Sequence, residues 1–517
     1  MNILLVYPEF PDTFWGFKHA LQFVGKKVAN PPLGLVTIAA MLPQNWNKRL
    51  VDLNISAVKE VDLRWADFIF LSAMDIQRKS VKDVIATCKQ YGKKIVAGGP
   101  LFTAEYESFP EIDYFVLNEA EITLPQFLSD LDHGNPQKVY KTDLFPDIRQ
   151  TPTPLWNLLD LGKYDCMCVQ FSRGCPFNCD FCNVTALLGH VPRTKATNQL
   201  IRELDTLYQT GWRRNIFMVD DNFIGNKKIL KQEVLPAIIE WRKGKTGCMF
   251  ITEASINLAD DPELMQLMGK AGFFSVFVGI ETPNEESLTE CNKTQNKNRD
   301  LLASIKRIQN GGLQVMGGFI VGFDNDTPAI FQRQIDFIQK SGIVTAMVGI
   351  LQAPLGTKLY ERIKNEGRLL AEISGDNGDG STNIIPKMDP DVLREGFLNV
   401  IQELFSPELF YERIKTFLIE YHPYYFKTQL GIQEFLAFFR TIWLIGILGK
   451  ERKQYWNLFF WALFKHSQKF PLAITLAVFG YHFRKVSELH LLMNANKKTG
   501  SLVPQPIRTP AVSQNYR

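Results

Sequence analysis

Gln170-Phe171-Ser172-Arg173-Gly174-Cys175-Pro176-Phe177-Asn178-Cys179-Asp180-Phe181-Cys182-Asn183 is the stretch that decides both the fold and the chemistry of this chain. It follows the β-rich run Met167 to Phe171 and sets three cysteines in CxxxCxxC spacing within one loop. A loop directly after a strand of a parallel βα series lies at the end of the sheet where such folds carry their chemistry. Three thiolates are one short of the set that structural zinc takes, and one short of a fully ligated four-iron cluster. In a cuboidal cluster the remaining iron is open to chelation by an external amino acid. A zinc loop is the alternative reading.

Outward from this loop, further strand-like runs recur with helical spacers: Asn215 to Val219, Met249 to Thr252, Ser275 to Ile280, Val315 to Val321 and Thr345 to Leu351. With Met167 to Phe171 they make six, which predicts a partial parallel βα barrel, since the eight strands of a closed barrel are not visible. Before the loop, Ile3 to Tyr7, Arg49 to Leu53, Phe68 to Ser72, Lys94 to Ala97 and Tyr114 to Leu117 alternate with helical stretches. That pattern predicts an α/β domain with a doubly wound parallel sheet, Rossmann-like, whose ligand lies in the loops beyond the strand C-termini. The expected organisation is a first domain over 1–135, a Pro-, Asp- and Thr-rich linker over 136–160, and the barrel over 161–360. A helical C-terminal domain over 361–493, with a flexible Gly- and Asp-rich interruption at Ser374 to Thr382, and a disordered tail over 494–517 complete it.

Composition excludes several classes. The 517 residues are 45% apolar and 22% charged, an ordinary globular balance that rules out wholesale disorder. Eight cysteines in so long a chain are no secreted disulfide framework, and the opening MNILLVYPEF reads as a first strand with no leader before it, so a reducing cytoplasmic setting is expected. Cys166 and Cys168, without a partner motif, read as packed core thiols, and Cys88, Cys248 and Cys291 as structural. From Lys427 to Arg517 there are thirteen basic and three acidic residues, a net +10 that leaves −6 for residues 1–426. Any anionic partner is expected at the C-terminal end.

The cysteine loop resembles the signature of the radical SAM superfamily, in which S-adenosylmethionine (SAM) chelates the fourth iron of a 4Fe-4S cluster held by three cysteines. The resemblance implies that Cys175, Cys179 and Cys182 are the cluster ligands, with Phe181 beside SAM. It also implies a SAM site along the following strand ends: Asp220, Asp221 and Asn222 toward the ammonium, Glu253 and Ser255 after the third strand, and Glu281 toward the ribose. Gly318 and Gly322 of a GxIxG motif would let the adenine approach bare backbone. Taken separately these are weak signals. Asp220-Asp221 also reads as a solvated turn or a magnesium ligand, and Glu281 as a helix N-terminal carboxylate.

Fused before such a barrel, the N-terminal sheet resembles the cobalamin-binding domain of the B12-dependent branch. The resemblance assigns Pro32 and Gly34 of Pro31-Pro32-Leu33-Gly34-Leu35, Ser72, and the pair Gly98-Gly99 to cobalamin. The DxHxxG motif that carries an axial histidine is missing after Tyr7, and His19 follows Asp12 at the wrong spacing. A flavodoxin-like domain without cofactor is the competing reading.

Together these features resemble the cobalamin-dependent radical SAM methylases. The wording MNILLVYPEFPDTFW, VDDNFIGN and IDFIQKSGIVTAMVG is similar to the group containing the hopanoid C-2 methylase. The resemblance implies methylation of an unactivated carbon of a hydrophobic substrate, a hopanoid or other lipid. An electron donor such as flavodoxin or ferredoxin would supply the reductant. Open alternatives are a radical cyclase or oxidative enzyme of tetrapyrrole synthesis, a methylase of another isoprenoid, and a non-catalytic cobalamin or iron-sulfur sensor. No nucleic-acid recognition module is visible. The C-terminal runs Phe435 to Leu448, Tyr455 to Phe464 and Leu472 to Phe483 read as short apolar helices interleaved with basic residues. They suit peripheral contact with an anionic membrane face, a helical cap buried on the barrel, or both.

Overall fold

The computed structural model describes residues 1–370, 373–426 and 431–497, the side chains of 432 and 493–497 apart. In the first domain β1 (Asn2–Tyr7), β2 (Asn47–Asp52), β3 (Phe68–Ser72), β4 (Lys94–Gly98), β5 (Tyr114–Val116) and β6 (Val139–Tyr140) form one parallel sheet. Its order is β2-β1-β3-β4-β5-β6. Ile3 to Val6 and Phe68 to Leu71 are buried on both faces, the continuous apolar pattern that a helix-covered parallel sheet requires. The order reverses between β1 and β3, and a ligand crevice opens beyond the strand ends at such a reversal. β6 lies inside the stretch expected as linker and pairs with β5 through Phe115 and Val139. The rest of that stretch is also fastened down, with the Leu155 amide on the Val36 carbonyl and the Gln199 side chain on the Thr151 carbonyl.

The barrel strands are β7 (Met167–Val169), β10 (Ile216–Met218), β11 (Phe250–Glu253), β12 (Phe273–Glu281), β13 (Gln314–Val321) and β14 (Ala346–Ile350), parallel and in sequential order. Between them β8 (Ser172–Arg173) and β9 (Arg193–Thr194) make a small antiparallel pair that brackets the cysteine loop. β7 and β14 are left as the two edges, so the barrel is partial, as the six sequence runs predict.

The lateral opening is not empty. Residues 13–24, between β1 and the Leu33–Met41 helix, pack into it: Trp15 Nε1 lies 2.9 Å from the Met347 sulfur, and its ring meets Phe277 edge-on at 5.4 Å. The helix Phe470–Lys497 holds this segment from outside, with Phe483 stacked on Phe14 at 4.1 Å and His482 Nε2 2.9 Å from the Phe14 carbonyl. That helix is far longer than the run expected from Leu472 to Phe483 and takes in residues 494–497, where the disordered tail was expected to begin; the rest of that tail lies outside the described residues. The helices Pro390–Leu404 and Pro407–Glu420 start on Asp389 and Ser406 caps and share the barrel's core. The Gly- and Asp-rich interruption, expected to be flexible, is tied to the end of β14, because Gln352 donates to the Asp376 and Ser381 carbonyls and Thr382 to the Leu351 carbonyl.

Candidate active site at the strand ends

The cysteine loop is built by its backbone. Gly174 has φ +94°, and a Cβ there would lie 3.0 Å from three carbonyl oxygens, those of Leu188, Gly189 and Val191. The Gly174 amide donates to Asp221 Oδ2 at 2.9 Å, the Cys175 amide to the Gly189 carbonyl, and the Cys182 amide to the Cys179 carbonyl. From the far side the Asp180 amide reaches the Cys291 carbonyl, and Asn292 donates to the Asn178 carbonyl. Cys175, Cys179 and Cys182 are half-buried and free, whereas Cys88, Cys166, Cys168, Cys248 and Cys291 are buried, as expected of packed thiols. Burial pushes Cys182 up to about 12 and raises Cys175, with the neighbouring thiols of the trio adding to both shifts. Three thiols close enough to feel one another, on a loop rigid enough to hold them, fit a cluster with one open iron. Among the described residues no three His, Cys, Asp or Glu side chains form a ready single-ion site.

The carboxylates after β10 divide into two kinds. Asp220 is buried and spends itself on the loop's backbone, accepting the Phe171 amide at 3.1 Å, the Ser172 amide and, at 2.5 Å, the Ser172 hydroxyl. Burial pushes it up to about 7 against those bonds. Asp221 holds Gly174, and Asn222 Oδ1 accepts the Ser255 amide at 3.2 Å, joining the ends of β10 and β11. Glu253, at the end of β11, is pushed up to about 8, first by burial and then by the charges of Asp221 and Asp220. The site is therefore rich in carboxyl groups and short of a cation at this corner.

The segment between β12 and β13 supplies a cation elsewhere. Glu281 sits at φ +65°, a conformation that non-glycine residues rarely adopt, and its Oε1 is 2.6 Å from Lys293 Nζ. Burial opposes a charge on Lys293, but Glu281 and the Cys179 thiol outweigh it and hold the ammonium above its ordinary range. Lys293 also lies 5.8 Å from the Phe181 ring centroid, and Gln295 Nε2 is 3.6 Å from Cys179 Sγ. A Cβ on Gly279 would fall 2.3 Å from Glu281 Oε1 and 2.8 Å from Lys293 Nζ, so this ion pair occupies the space beside it. The space over Gly318 is taken by the Phe277 ring, which a Cβ there would meet at 2.8 Å, and Gly322 turns at φ +95° with its amide on Asp326. Phe181 and Ile320 pack in the same apolar cluster.

Across from this mouth stand the strand ends of the first domain. Gly98 and Gly99 are required there: a Cβ on Gly98 would meet the Val116 carbonyl at 2.5 Å, and one on Gly99, at φ +92°, the Ser72 hydroxyl at 2.6 Å. Pro32 is buried, while Gly34 is exposed with open space where its side chain would be. His19 points the other way, 3.6 Å from Asp12 and 5.7 Å from the His482 ring. The two domains are joined at the rim by Arg173, which pairs with Glu119 at 2.6 Å and Glu121 at 2.9 Å, and by Arg193, which pairs with Glu119 at 2.7 Å. On the opposite rim Gly375 fits against the backbone of Asp75 and Ile76, where a Cβ would come within 2.5 Å.

No motif or spacing assigns a role to Arg173, Lys293, Gln295 or Trp15. Arg173 stands two residues before Cys175 and Lys293 two after Cys291, so proximity to cysteines is the one local mark they carry; nothing local marks Trp15.

The comparisons agree with this geometry. Residues 27–128 match the B12 binding domain family, 169–338 the radical SAM superfamily, and 357–494 a domain of unknown function, DUF4070. An uncharacterized methyltransferase of Synechocystis sp. is 39% identical over 495 residues, 95% of this chain and 92% of that one. The hopanoid C-2 methylase of Rhodopseudomonas palustris is 33% identical over 471 residues, 88% of each chain. The fold is shared with the radical S-adenosylmethionine methyltransferase TsrM from Kitasatospora setae, solved with cobalamin and a [4Fe-4S] cluster, at TM-score 0.61 and 13% identity over 95% of this chain and 99% of that one. The chain thus belongs to the cobalamin-dependent radical SAM family and is a methyltransferase that works with a 4Fe-4S cluster, SAM and cobalamin.

Proposed function

We propose that this methyltransferase acts on an unactivated carbon of a hydrophobic lipid, with a hopanoid methylated at C-2 as the acceptor. The observation that carries the choice is the similarity to the hopanoid C-2 methylase, which covers 88% of this chain and 88% of that one. When bound, the cluster and SAM supply a hydrogen-abstracting radical, and cobalamin the methyl group. Cys175, Cys179 and Cys182 hold the cluster. Asp221 and Glu253, with Asn222 and Ser255 fixing the strand ends behind them, receive the positive charge of SAM, and Phe181 and Ile320 offer it an apolar wall. Asp220 acts through the backbone of Phe171 and Ser172 and positions the loop. Ser72, Gly98 and Gly99, with Pro32 and Gly34 beside them, give cobalamin a bare backbone face. Trp15, Phe277 and Met347 line the barrel with apolar surface, which suits a hydrocarbon acceptor and keeps water from the reacting carbon. The small-molecule acceptor and a reductant are the required partners; flavodoxin or ferredoxin in the cytoplasm is the proposed electron source.

The test uses anaerobically reconstituted full-length protein with cobalamin, a strong reductant, methyl-deuterated SAM and a lipid extract containing unmethylated hopanoids. Labelled methylhopanoid appearing with 5′-deoxyadenosine and S-adenosylhomocysteine supports the proposal. 5′-Deoxyadenosine without labelled lipid counts against a hopanoid acceptor. Cys175→Ala, Cys179→Ala and Cys182→Ala should each abolish 5′-deoxyadenosine formation, and full activity in any of them would remove the cluster assignment.

A further inference from the structure

We propose that the outer face of the helical hairpin at 432–465 docks on a lipid bilayer bearing anionic headgroups. The first arm is the helix Ile432–Thr441 continued by a π-helical turn Ile442–Ile447, and the second is the helix Arg452–Lys465. Their inner sides are packed: Ile445, Tyr455, Leu458 and Ala462 are buried, Phe438 meets Phe459 at 6.1 Å, and Trp456 Nε1 donates to the Gly446 carbonyl at 2.9 Å. Their outer sides are apolar and bare. Phe435, Phe439, Trp443 and Ile447 follow one another at four-residue steps along the first arm, the spacing that keeps side chains on one face. On the second arm Phe460 and Phe464 are stacked at 6.2 Å on the exposed side. Phe435 is 64% exposed, Trp443 57% and Phe464 78%. Of the 21 exposed large hydrophobic residues among the described residues, nine fall between 435 and 464, so this is a patch rather than the usual scatter.

Charge decides what covers it. Between Gly431 and Leu492 there are eight basic and three acidic residues. All three acids are already engaged: Glu434 by Arg214, Glu451 by Arg484, and Glu488 by Lys450 and Lys485. Arg452, Lys453 and Lys465, at the two ends of the second arm, are exposed and make no ion pair among the described residues. A second copy seated by a two-fold axis would bring these cations against their own kind. An anionic bilayer answers both the aromatic face and its basic border, the arrangement of a helix lying in the membrane interface. No described helix is long and apolar enough to cross a membrane, so the contact lies on the surface. The hairpin is also fastened to the segment that enters the barrel, since Arg440 donates to the Phe23 carbonyl at 2.7 Å and Trp15 belongs to that same segment. Docking does not require a particular acceptor; a membrane-resident acceptor would simply come from the bilayer on which the hairpin rests.

The experiment is co-sedimentation of the full-length protein, without substrate, with vesicles of phosphatidylcholine alone and of phosphatidylcholine with one third phosphatidylglycerol. Tryptophan quenching by bromine-labelled acyl chains is read in parallel. The expected result is binding to the anionic vesicles that weakens with salt, falls at least tenfold in the double variant Phe439→Glu, Trp443→Glu, and weakens in Arg452→Glu, Lys453→Glu. Quenching should drop in Trp443→Ala. Because these side chains are exposed, the variants should keep the wild-type circular dichroism and 5′-deoxyadenosine formation. Equal vesicle binding by wild type and double variant, or no binding by wild type, overturns the proposal. So does a concentration-dependent dimer in sedimentation that the double variant dissolves, which would mean that a second copy covers the face.

Discussion

Arg173 Nη1 and Glu119 Oε2 meet at 2.6 Å across the domain boundary, two residues ahead of the first loop cysteine. Glu121 shares the guanidinium: burial would raise its carboxyl, but Arg173 overrides that and holds it below the ordinary range. One buried ion cluster thus fixes the cysteine loop to the loop after β5 of the cobalamin domain. Methyl transfer needs the two cofactors in register, whereas SAM cleavage needs only the barrel. Glu119→Gln should therefore lower stability by about 2 kcal/mol, the order of a charge-assisted hydrogen bond lost in a buried site. It should also raise the ratio of 5′-deoxyadenosine to methylated product severalfold. A proportional fall in both products, or neither, would mean that the pairing has no role in register.

Lys293 lies beside the cysteine loop, 5.8 Å from the Phe181 ring centroid and 2.6 Å from buried Glu281. Lys293→Met leaves that carboxylate without its partner and should cost about 3 kcal/mol, measured by thermal unfolding. Losing a positive charge beside the cluster also favours its oxidised form, so a redox titration followed by electron paramagnetic resonance should find a more negative potential. Lys293→Arg should restore most of both properties.

Glu253 sets a pH dependence. Its carboxyl lies at about 8 in the ligand-free fold against an ordinary value of 4.5, so the folded protein keeps a proton there that the unfolded chain has released. Stability of the ligand-free protein should fall as pH rises between these values. A cationic ligand binds the ionised form and displaces the proton, so SAM affinity should rise with pH up to about 8, by as much as tenfold per unit. Equilibrium dialysis with cluster-loaded protein measures this, and Glu253→Gln should flatten the profile.

Gly99, at φ +92° and ψ 179°, occupies a conformation open essentially to glycine alone. Gly99→Ala should cost about 1–3 kcal/mol and push the Ser72 hydroxyl off the strand end. Cobalamin uptake, read by absorbance after gel filtration, should fall while 5′-deoxyadenosine formation persists. Unchanged cobalamin binding would place the cofactor elsewhere.

Apart from β6, which hides in a Pro- and Asp-rich stretch, the two parallel sheets and the cysteine loop are legible in the order of residues, because each rests on local pattern: buried strands are continuous apolar runs such as Ile3 to Val6, and three thiols in eight residues need no distant partner to be recognised. It also marked Gly98 and Gly99, whose bareness is written in their identity. The use of each polar group is set by packing instead. Asp220 and Glu253 look alike in sequence, yet one is consumed by backbone amides of the loop and the other is left without a counter-charge. Arg173 with Glu119, Lys293 with Glu281, and Trp15 with Met347 are pairs of residues 12 to 332 positions apart. No periodicity encodes such a pairing, because it follows from how separately folded units pack, and only that packing determines which aromatic residues of the C-terminal helices enter the core and which remain on the surface.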